Sequence, residues 1–500
     1  MTRKIELLAP AGTFENLKYA FAYGADAVYA GLPRYSLRAR NNDFKNEERL
    51  KIGIEYAHEH SKKFFLALNT MPHGAKLKTF MDDLSPVIAL KPDALIMADP
   101  GLIMLARERW PDMPIHLSVQ ANTVNSATVK FWQKIGLTRI ILSRELSMNE
   151  IHEIRQECPD IELEVFVHGA LCIAYSGRCL LSGYFNHRDA NQGTCTNACR
   201  WNYGLTSAKE TPEGEFVTQA TDLSKIYTEG SNHPQSIPFP QVNPNNADDP
   251  LKFIQNALES SAFDDPIDGG SSMDGNYNPH REATETYLIQ ENNQRKGEWM
   301  EISEDENGTY IMNSRDLRAI QHVHKLIEIG VDSLKIEGRT KSHYYVARTA
   351  QIYKQAMLDA LAGKPFNPEL YGKLDGLANR GYTDGFLQRH APHAYQNYLT
   401  GNSIHFRQQF VAQVSAYDPV TGLSRLEVKN KFSVGDKLEV ITPIQADSHN
   451  NLQGNRDIIL QSLQTEKGVF ETVAKGSGHV FYADIGVTNP MTMLARYIAE

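Results

Sequence analysis

Ile5-Glu6-Leu7-Leu8-Ala9-Pro10-Ala11-Gly12 is a short apolar run closed by a turn. It is followed by Thr13 to Phe21 and then by Ala27-Val28-Tyr29-Ala30-Gly31, a second short apolar run. Between the two, Phe14, Leu17, Ala20 and Phe21 recur at helical spacing, with Thr13 in place to cap the helix. Strand, helix, strand is the reading of this opening segment, and the same alternation repeats downstream. Further apolar runs are Phe64–Leu68, Ala94–Ala98, Ile115–Val119, Ile140–Leu142 and Leu163–Val167, with Ser333–Ile336 after a long excursion. Strands alternating with helices imply right-handed crossovers and a parallel sheet. Eight such runs fit a TIM-like (β/α)8 barrel, an α/β fold, better than an open doubly wound sheet.

The ends of these runs carry the chemistry. They finish on Pro10-Ala11-Gly12, Gly31, Asn69, Asp99, Gln120, Ser143-Arg144-Glu145, His168-Gly169 and Glu337-Gly338-Arg339. In a parallel barrel the C-terminal strand ends converge on one face, where active sites are built. Polar residues also end strands for purely structural reasons, and that explains some members of the ring.

Residues 1–365 are expected to form the barrel, interrupted by an insertion at about 207–307. Its middle, Thr228 to Asn293, is rich in Asn, Asp, Pro, Ser and Gly. The barrel pattern is expected to resume at Tyr310–Leu317, with a helix over about Ser342–Leu361. Residues 366–400 read as a linker. From about 401 to 500 the texture changes to a small all-β domain, a barrel or sandwich. Its strands are expected at Phe410–Tyr417, Arg425–Val428, Lys437–Ile441 and His479–Tyr482, with a tight turn at Lys431–Asp436.

Bulk composition excludes several classes. In 500 residues, 41% hydrophobic and 22% charged, no apolar run approaches the length of a membrane span, and the charged N-terminus is unlike a signal peptide. The chain is therefore expected to be cytoplasmic. A formal net charge of −9 means that any RNA partner must use a local basic patch. Arg34, Arg38 and Arg40 form one such group, Arg315 and Arg318 another, and Arg339, Lys341 and Arg348 a third; each can equally be a solvated surface.

Four of the five cysteines fall in the spacing C-x6-C-x15-C-x3-C, at Cys172, Cys179, Cys195 and Cys199. They start just past the Leu163–Val167 run, at the barrel mouth. Four thiolates bind a [4Fe–4S] cluster, a [2Fe–2S] cluster or tetrahedral zinc. Structural zinc sites usually present paired C-x2-C knuckles, which are absent, so the spacing favours iron–sulfur; zinc and redox thiols remain open. Cys158, next to Pro159, stands apart from the set. Tyr175, Arg178, Tyr184, His187, Arg188, Asn197 and Arg200 accompany the cysteines, and arginines there can offset a cluster's charge or grip an anionic ligand.

The stretch Glu164-Val165-Phe166-Val167-His168-Gly169-Ala170-Leu171-Cys172-Ile173-Ala174-Tyr175-Ser176-Gly177-Arg178-Cys179 resembles the signature of the collagenase-like peptidase family of unassigned mechanism. Leu8-Ala9-Pro10-Ala11-Gly12, Gly24–Gly31 and Leu334-Lys335-Ile336-Glu337-Gly338-Arg339 are also similar to family motifs. Within it, Arg34–Leu37, Pro114–Asn122, Asn191–Trp201 and Asn379–Thr383 are most similar to the bacterial members that modify tRNA. The likeness covers nearly the whole chain but fails across roughly Ser207 to Gln290.

The resemblance implies prephenate-dependent, oxygen-independent 5-hydroxylation of the wobble uridine in tRNA. It implies an iron–sulfur cluster, [4Fe–4S] first, on the four cysteines of the motif. Prephenate is a dicarboxylate, so Arg178, Arg200 and Arg339 are the substrate-binding candidates, with Arg38, Arg40 and Arg144 behind them. His168, Tyr175 and Glu337 are the candidate catalytic residues; Tyr175 or Tyr184 would stack on an extruded base. Three rivals stand beside this reading. One is a peptidase, although the chain has no His-Glu-x-x-His helix and no Gly-x-Ser-x-Gly elbow. Another is hydroxylation of rRNA or a quinone. The third is a cluster-bearing subunit that needs a protein partner.

Overall fold

The structure is a computed structural model. It describes residues 5–32, 35–36, 42–70, 74–170, 203–210, 216–218, 287–291, 299–305, 308–311, 316–339, 341–377, 382–388, 408–444, 452 and 454–498. All eight apolar runs become strands of one closed parallel barrel. They are β1 (Glu6–Pro10), β2 (Ala27–Gly31), β3 (Lys63–Leu68), β4 (Ala94–Met97), β5 (Ile115–Leu117), β6 (Arg139–Ile141) and β7 (Glu162–Ala170). Closure comes from β14 (Ser333–Ile336), which pairs in parallel with both β1 and β7. Strands buried on both faces read as unbroken apolar runs, and β2 is buried at every position.

The helices between them are α1 (Phe14–Ala22), α2 (Glu47–Glu59), α3 (Gly74–Ala89), α4 (Pro100–Arg109), α5 (Ser126–Lys134) and α6 (Met148–Glu157). Short polar residues start most of them, because the first amides of a helix lack internal acceptors. Thr13 Oγ1 accepts from Asn16 N at 3.0 Å, Asp99 Oδ1 from Leu102 N at 2.9 Å and Asn125 Oδ1 from Thr128 N at 2.9 Å. Ser147 and Glu150 form a reciprocal capping box on α6.

After β7 the chain leaves the barrel. Residues 201–312 form a separate unit, whose described part is an antiparallel sheet. Its strands are β8 (Tyr203–Glu210), β9 (Phe216–Thr218), β10 (Tyr287–Glu291), β11 (Trp299–Asp305) and β12 (Gly308–Ile311). This corrects the expected resumption of the barrel at Tyr310–Leu317. Tyr310 and Ile311 pair with β11, and β13 (Asp316–Arg318) runs antiparallel to β7, Asp316 facing Ala170. Because β13 runs against β7, it is not the strand of a new βα unit, and the parallel pattern resumes with β14.

The chain rejoins the barrel through α7 (Val323–Ile329) and β14, then enters α8 (His343–Leu361), capped by Ser342. Within the stretch read as a linker lie α9 (Glu369–Asp375), whose Leu370 and Leu374 are fully buried, and β15 (Tyr382–Thr383), which pairs with β13.

The C-terminal domain is all-β, as expected, and its strands pair antiparallel. It contains β16 (Gln408–Asp418), β17 (Leu423–Val428), β18 (Phe432–Ser433), β19 (Lys437–Ile441), β20 (Arg456–Ile459), β21 (Leu463–Thr465), β22 (Phe470–Glu471), β23 (Val473–Ala474), β24 (Val480–Ala483) and β25 (Met493–Tyr497). The expected turn at 431–436 is present: Asp436 Oδ2 accepts from Ser433 N at 2.7 Å, and the residues before it pair as β18 with β23. Ile441, Met493 and Ala495 belong to the same apolar cluster as the barrel strands, while Val411, Leu426, Leu438 and Phe481 belong to a second core of the domain itself. No described helix is long and apolar enough to cross a membrane.

Candidate active site at the barrel mouth

Alternation along the barrel strands sends every second side chain to the axis. Near the strand starts those side chains are ionic. Arg139 donates to Glu6 Oε1 at 2.6 Å, Glu162 Oε2 at 2.8 Å and Glu164 Oε2 at 3.0 Å, and Lys335 Nζ donates to Glu164 Oε1 at 2.7 Å. Burial pushes the Glu164 carboxyl upward, but Lys335 and Arg139 together hold it below the usual range. His116 is neutral in the same layer: burial and the neighbouring Arg139 and Lys335 keep its imidazole far below its ordinary pKa.

Above this layer lie two rings. Lys335 Nζ is 4.4 Å from the centre of Tyr29 and 5.3 Å from that of Phe166. Above the rings, at the strand ends, sits the mouth. Arg144 lies over Phe166, its guanidinium carbon 3.8 Å from the ring centre, with its Nη2 3.8 Å from Glu337 Oε2. Tyr29 hydroxyl lies 3.0 Å from Ile336 O and 3.2 Å from Glu337 Oε2, and Tyr345 hydroxyl donates to Glu337 O at 3.1 Å. Arg339 is buried and donates from Nη1 to Ser36 Oγ at 2.7 Å.

Glycines make this crowding feasible. A Cβ on Gly31 would lie 2.5 Å from Ser36 Oγ and 2.6 Å from Arg339 Nη1. At Gly169, φ is +102°, and a Cβ would collide with the Glu337 carbonyl oxygen. The glycine-bearing motifs at the ends of β7 and β14 are therefore one packed contact.

Of the candidate residues, Glu337 and Arg339 lie at the mouth, joined by Arg144. His168 lies elsewhere. The β7–β14 register shifts between Lys335 and Ile336, so Ile336 faces His168, and such an irregularity re-aims side chains. His168 is buried among the rings of Tyr345, Tyr353 and Tyr382, at centroid distances of 5.7, 5.4 and 5.6 Å. Tyr353 hydroxyl donates to Val167 O at 2.7 Å, so at 3.3 Å it accepts from His168 Nδ1. Among the described residues Nε2 is then an acceptor without a partner. Burial first, then Arg318 and Lys341, lower the His168 pKa to about 3.

Arg318 is paired with Asp375 and lies over the rings of Tyr371 and Tyr382, and Arg348 is paired with Glu439 at 2.7 Å. Cys158 is buried and free. Cys172, Cys179, Cys195, Cys199, Tyr175, Arg178, Tyr184, His187, Arg188, Asn197, Arg200, Arg34, Arg38, Arg40 and Arg315 lie outside the described residues. Among the described residues no group of His, Cys, Asp or Glu has the geometry of a metal site. Tyr29, Ser36 and Phe166 escaped attention as single residues. For Phe166 the signal is parity, since it shares one side of β7 with Glu164; Tyr29 and Ser36 carry no such mark in the sequence.

Comparison with known proteins agrees with this architecture. The model described as "Peptidase family U32" matches residues 12–229 and 276–397, and that of "Peptidase family U32 C-terminal domain" matches residues 407–496. The chain is 53% identical over 482 residues to tRNA hydroxylation protein P of Escherichia coli (strain K12), covering 96% of this chain and 94% of that protein. It is 36% identical over 204 residues to the 23S rRNA 5-hydroxycytidine C2501 synthase of Escherichia coli, covering 41% of this chain and 30% of that one. It is 23% identical over 492 residues to Collagenase of Porphyromonas gingivalis, covering 94% and 92%.

Proposed function

The chain belongs to peptidase family U32, and from that premise we propose that it hydroxylates tRNA, placing the 5-hydroxyl on the wobble uridine with prephenate as co-substrate and without molecular oxygen. The observation that carries this reading is 53% identity, along nearly the full length of both chains, to a protein named for tRNA hydroxylation. The shorter match to an rRNA hydroxycytidine synthase supports hydroxylation of an RNA base as the general chemistry. The first match spans far more of the chain, which favours tRNA over rRNA.

In this reading Cys172, Cys179, Cys195 and Cys199 hold an iron–sulfur cluster, [4Fe–4S] by preference. Two things support it: four thiolates suffice for such a cluster, and β7 ends at Ala170, two residues before Cys172, on the face where the other strand ends converge. When bound, the cluster would supply electron-transfer capacity for the hydroxylation. The chain's own part is to bind and orient. Tyr29 and Tyr345 fix Glu337 from its carboxylate and its carbonyl. Arg339 brings positive charge for a dicarboxylate to the mouth; Arg178 and Arg200 are proposed as further contacts to it, and Tyr175 as the residue that stacks on the base. The work is cytoplasmic, since tRNA and prephenate are found there.

Nucleoside mass spectrometry on tRNA from a strain lacking this gene, grown with and without oxygen, tests the proposal. Loss of 5-hydroxyuridine derivatives is expected, restored by the wild-type chain and not by Cys172→Ala. Unchanged tRNA under both regimes would overturn it. Proteolysis, which the family's name suggests, predicts gelatin cleavage by the purified chain. A cluster-bound thiolate is a poor nucleophile for that purpose.

A further inference from the structure

Among the described arginines of the mouth, Arg144 is one with no acceptor within hydrogen-bond reach. Among the described residues its contacts are the face of the Phe166 ring and the Glu337 carboxylate at 3.8 Å, beyond hydrogen-bond reach. Arg339 differs, because its Nη1 is already spent on Ser36 in the space that Gly31 leaves open. The side chains of Arg144 and Glu337 are only 10% and 12% exposed. Among the described residues this largely buried guanidinium, with five N–H donors, has a carboxylate nearby but no acceptor within hydrogen-bond reach, an arrangement that favours binding one. A ring against its face leaves the N–H edge open, and that edge matches a carboxylate through two parallel bonds.

We infer that Arg144 grips a carboxylate of the small co-substrate through its guanidinium edge, with Phe166 as the platform that fixes the plane of the fork. The inference rests on the reading above, in which that co-substrate is a dicarboxylate. It moves the main anion contact from Arg339 to Arg144, and from β14 to the loop after β6. An RNA phosphate offers a similar pair of oxygens, so the test must separate the two.

Two variants serve. Arg144→Lys keeps the charge and removes the fork; Phe166→Leu keeps the arginine and removes its platform. The full-length, cluster-loaded chain is titrated with prephenate by calorimetry, and 5-hydroxyuridine formation is measured against prephenate and against tRNA. For Arg144→Lys, Kd and KM for prephenate are expected to rise about tenfold to a hundredfold. KM for tRNA and the cluster's absorption spectrum should stay as in the wild type. Phe166→Leu should move the same constants in the same direction by less, and it carries the test alone if the lysine variant does not fold. A rise in KM for tRNA with prephenate unaffected would overturn the inference in favour of an RNA phosphate. Prephenate binding equal in wild type and variants would overturn it while leaving the proposed function intact. No prephenate binding by the wild type would overturn the co-substrate reading and this inference together.

Discussion

His168 shows how a single side chain can be chemically quiet inside a motif. Its Nδ1 proton is held by Tyr353, its ring is enclosed by tyrosines, and its pKa falls to about 3. The ordinary histidine value is about 6.5, so between those two pH values the unfolded chain binds a proton that the folded chain refuses. Stability should therefore fall as pH drops from about 6.5 toward about 3. Replacing the group by His168→Gln should reduce the slope of unfolding free energy against pH in that window, by up to about one proton. Denaturant titrations at a series of pH values measure it, and an unaltered slope would show that the folded chain protonates this imidazole. Nothing in the linear order His168-Gly169 reveals that the side chain leaves the line of Glu164 and Phe166. That depends on a one-residue irregularity against β14, and register across strands is not written in either strand alone.

Strands were the most legible elements, because burial on both faces leaves an unmistakable apolar run. The eight runs read from the sequence are the eight strands of the barrel. What lies along the axis was less legible. Glu6, Arg139, Glu164 and Lys335 are charged residues inside apolar strands, and only closure of the barrel brings them together. Pairing across the axis neutralises charges that could not be buried singly. Lys335→Met removes one of the two counter-charges of the wholly buried Glu164, leaving Arg139, and should cost about 3 kcal/mol, the low end for breaking a buried pair. The double variant Glu164→Gln with Lys335→Met should recover part of that loss, a coupling that a double-mutant cycle measures. A single-variant cost indistinguishable from a surface substitution would show that the layer is hydrated. The insertion strands were missed for the opposite reason: they lie beside a tract whose polar composition dominates the local pattern.

Across the whole molecule, the C-terminal domain is joined to the barrel by buried polar contacts as well as by apolar packing. Arg348 on α8 is 1% exposed and paired with Glu439 on β19, which also accepts from Gln408 at 2.8 Å. Gln351 exchanges hydrogen bonds of 3.1 Å with Asn455, and the Tyr23 hydroxyl lies 2.9 Å from the carbonyl oxygens of Ile441 and Met491. Barrel and β-domain should accordingly unfold in one calorimetric transition. Glu439→Gln should destabilise both together by about 3–5 kcal/mol, since it leaves a buried guanidinium without its counter-charge. Two separated transitions would show instead that the domain is merely tethered. The sequence revealed the two domains through their change of periodicity, but it could not reveal the joint, because each partner reads alone as an ordinary surface charge.

The antiparallel pairing of β7 with β13 has a consequence for how such a chain can change over time. Ala170 and Asp316 face one another, so the chain leaves and rejoins the barrel sheet at one pair of neighbouring strands. Closing a loop grows more costly only slowly with its length. Once the threshold is clasped, the barrel is largely indifferent to how much chain passes through it. The separate unit at residues 201–312 can therefore be lengthened, trimmed or exchanged while the barrel strands that carry Phe166, Glu337 and Arg339 keep their pairing.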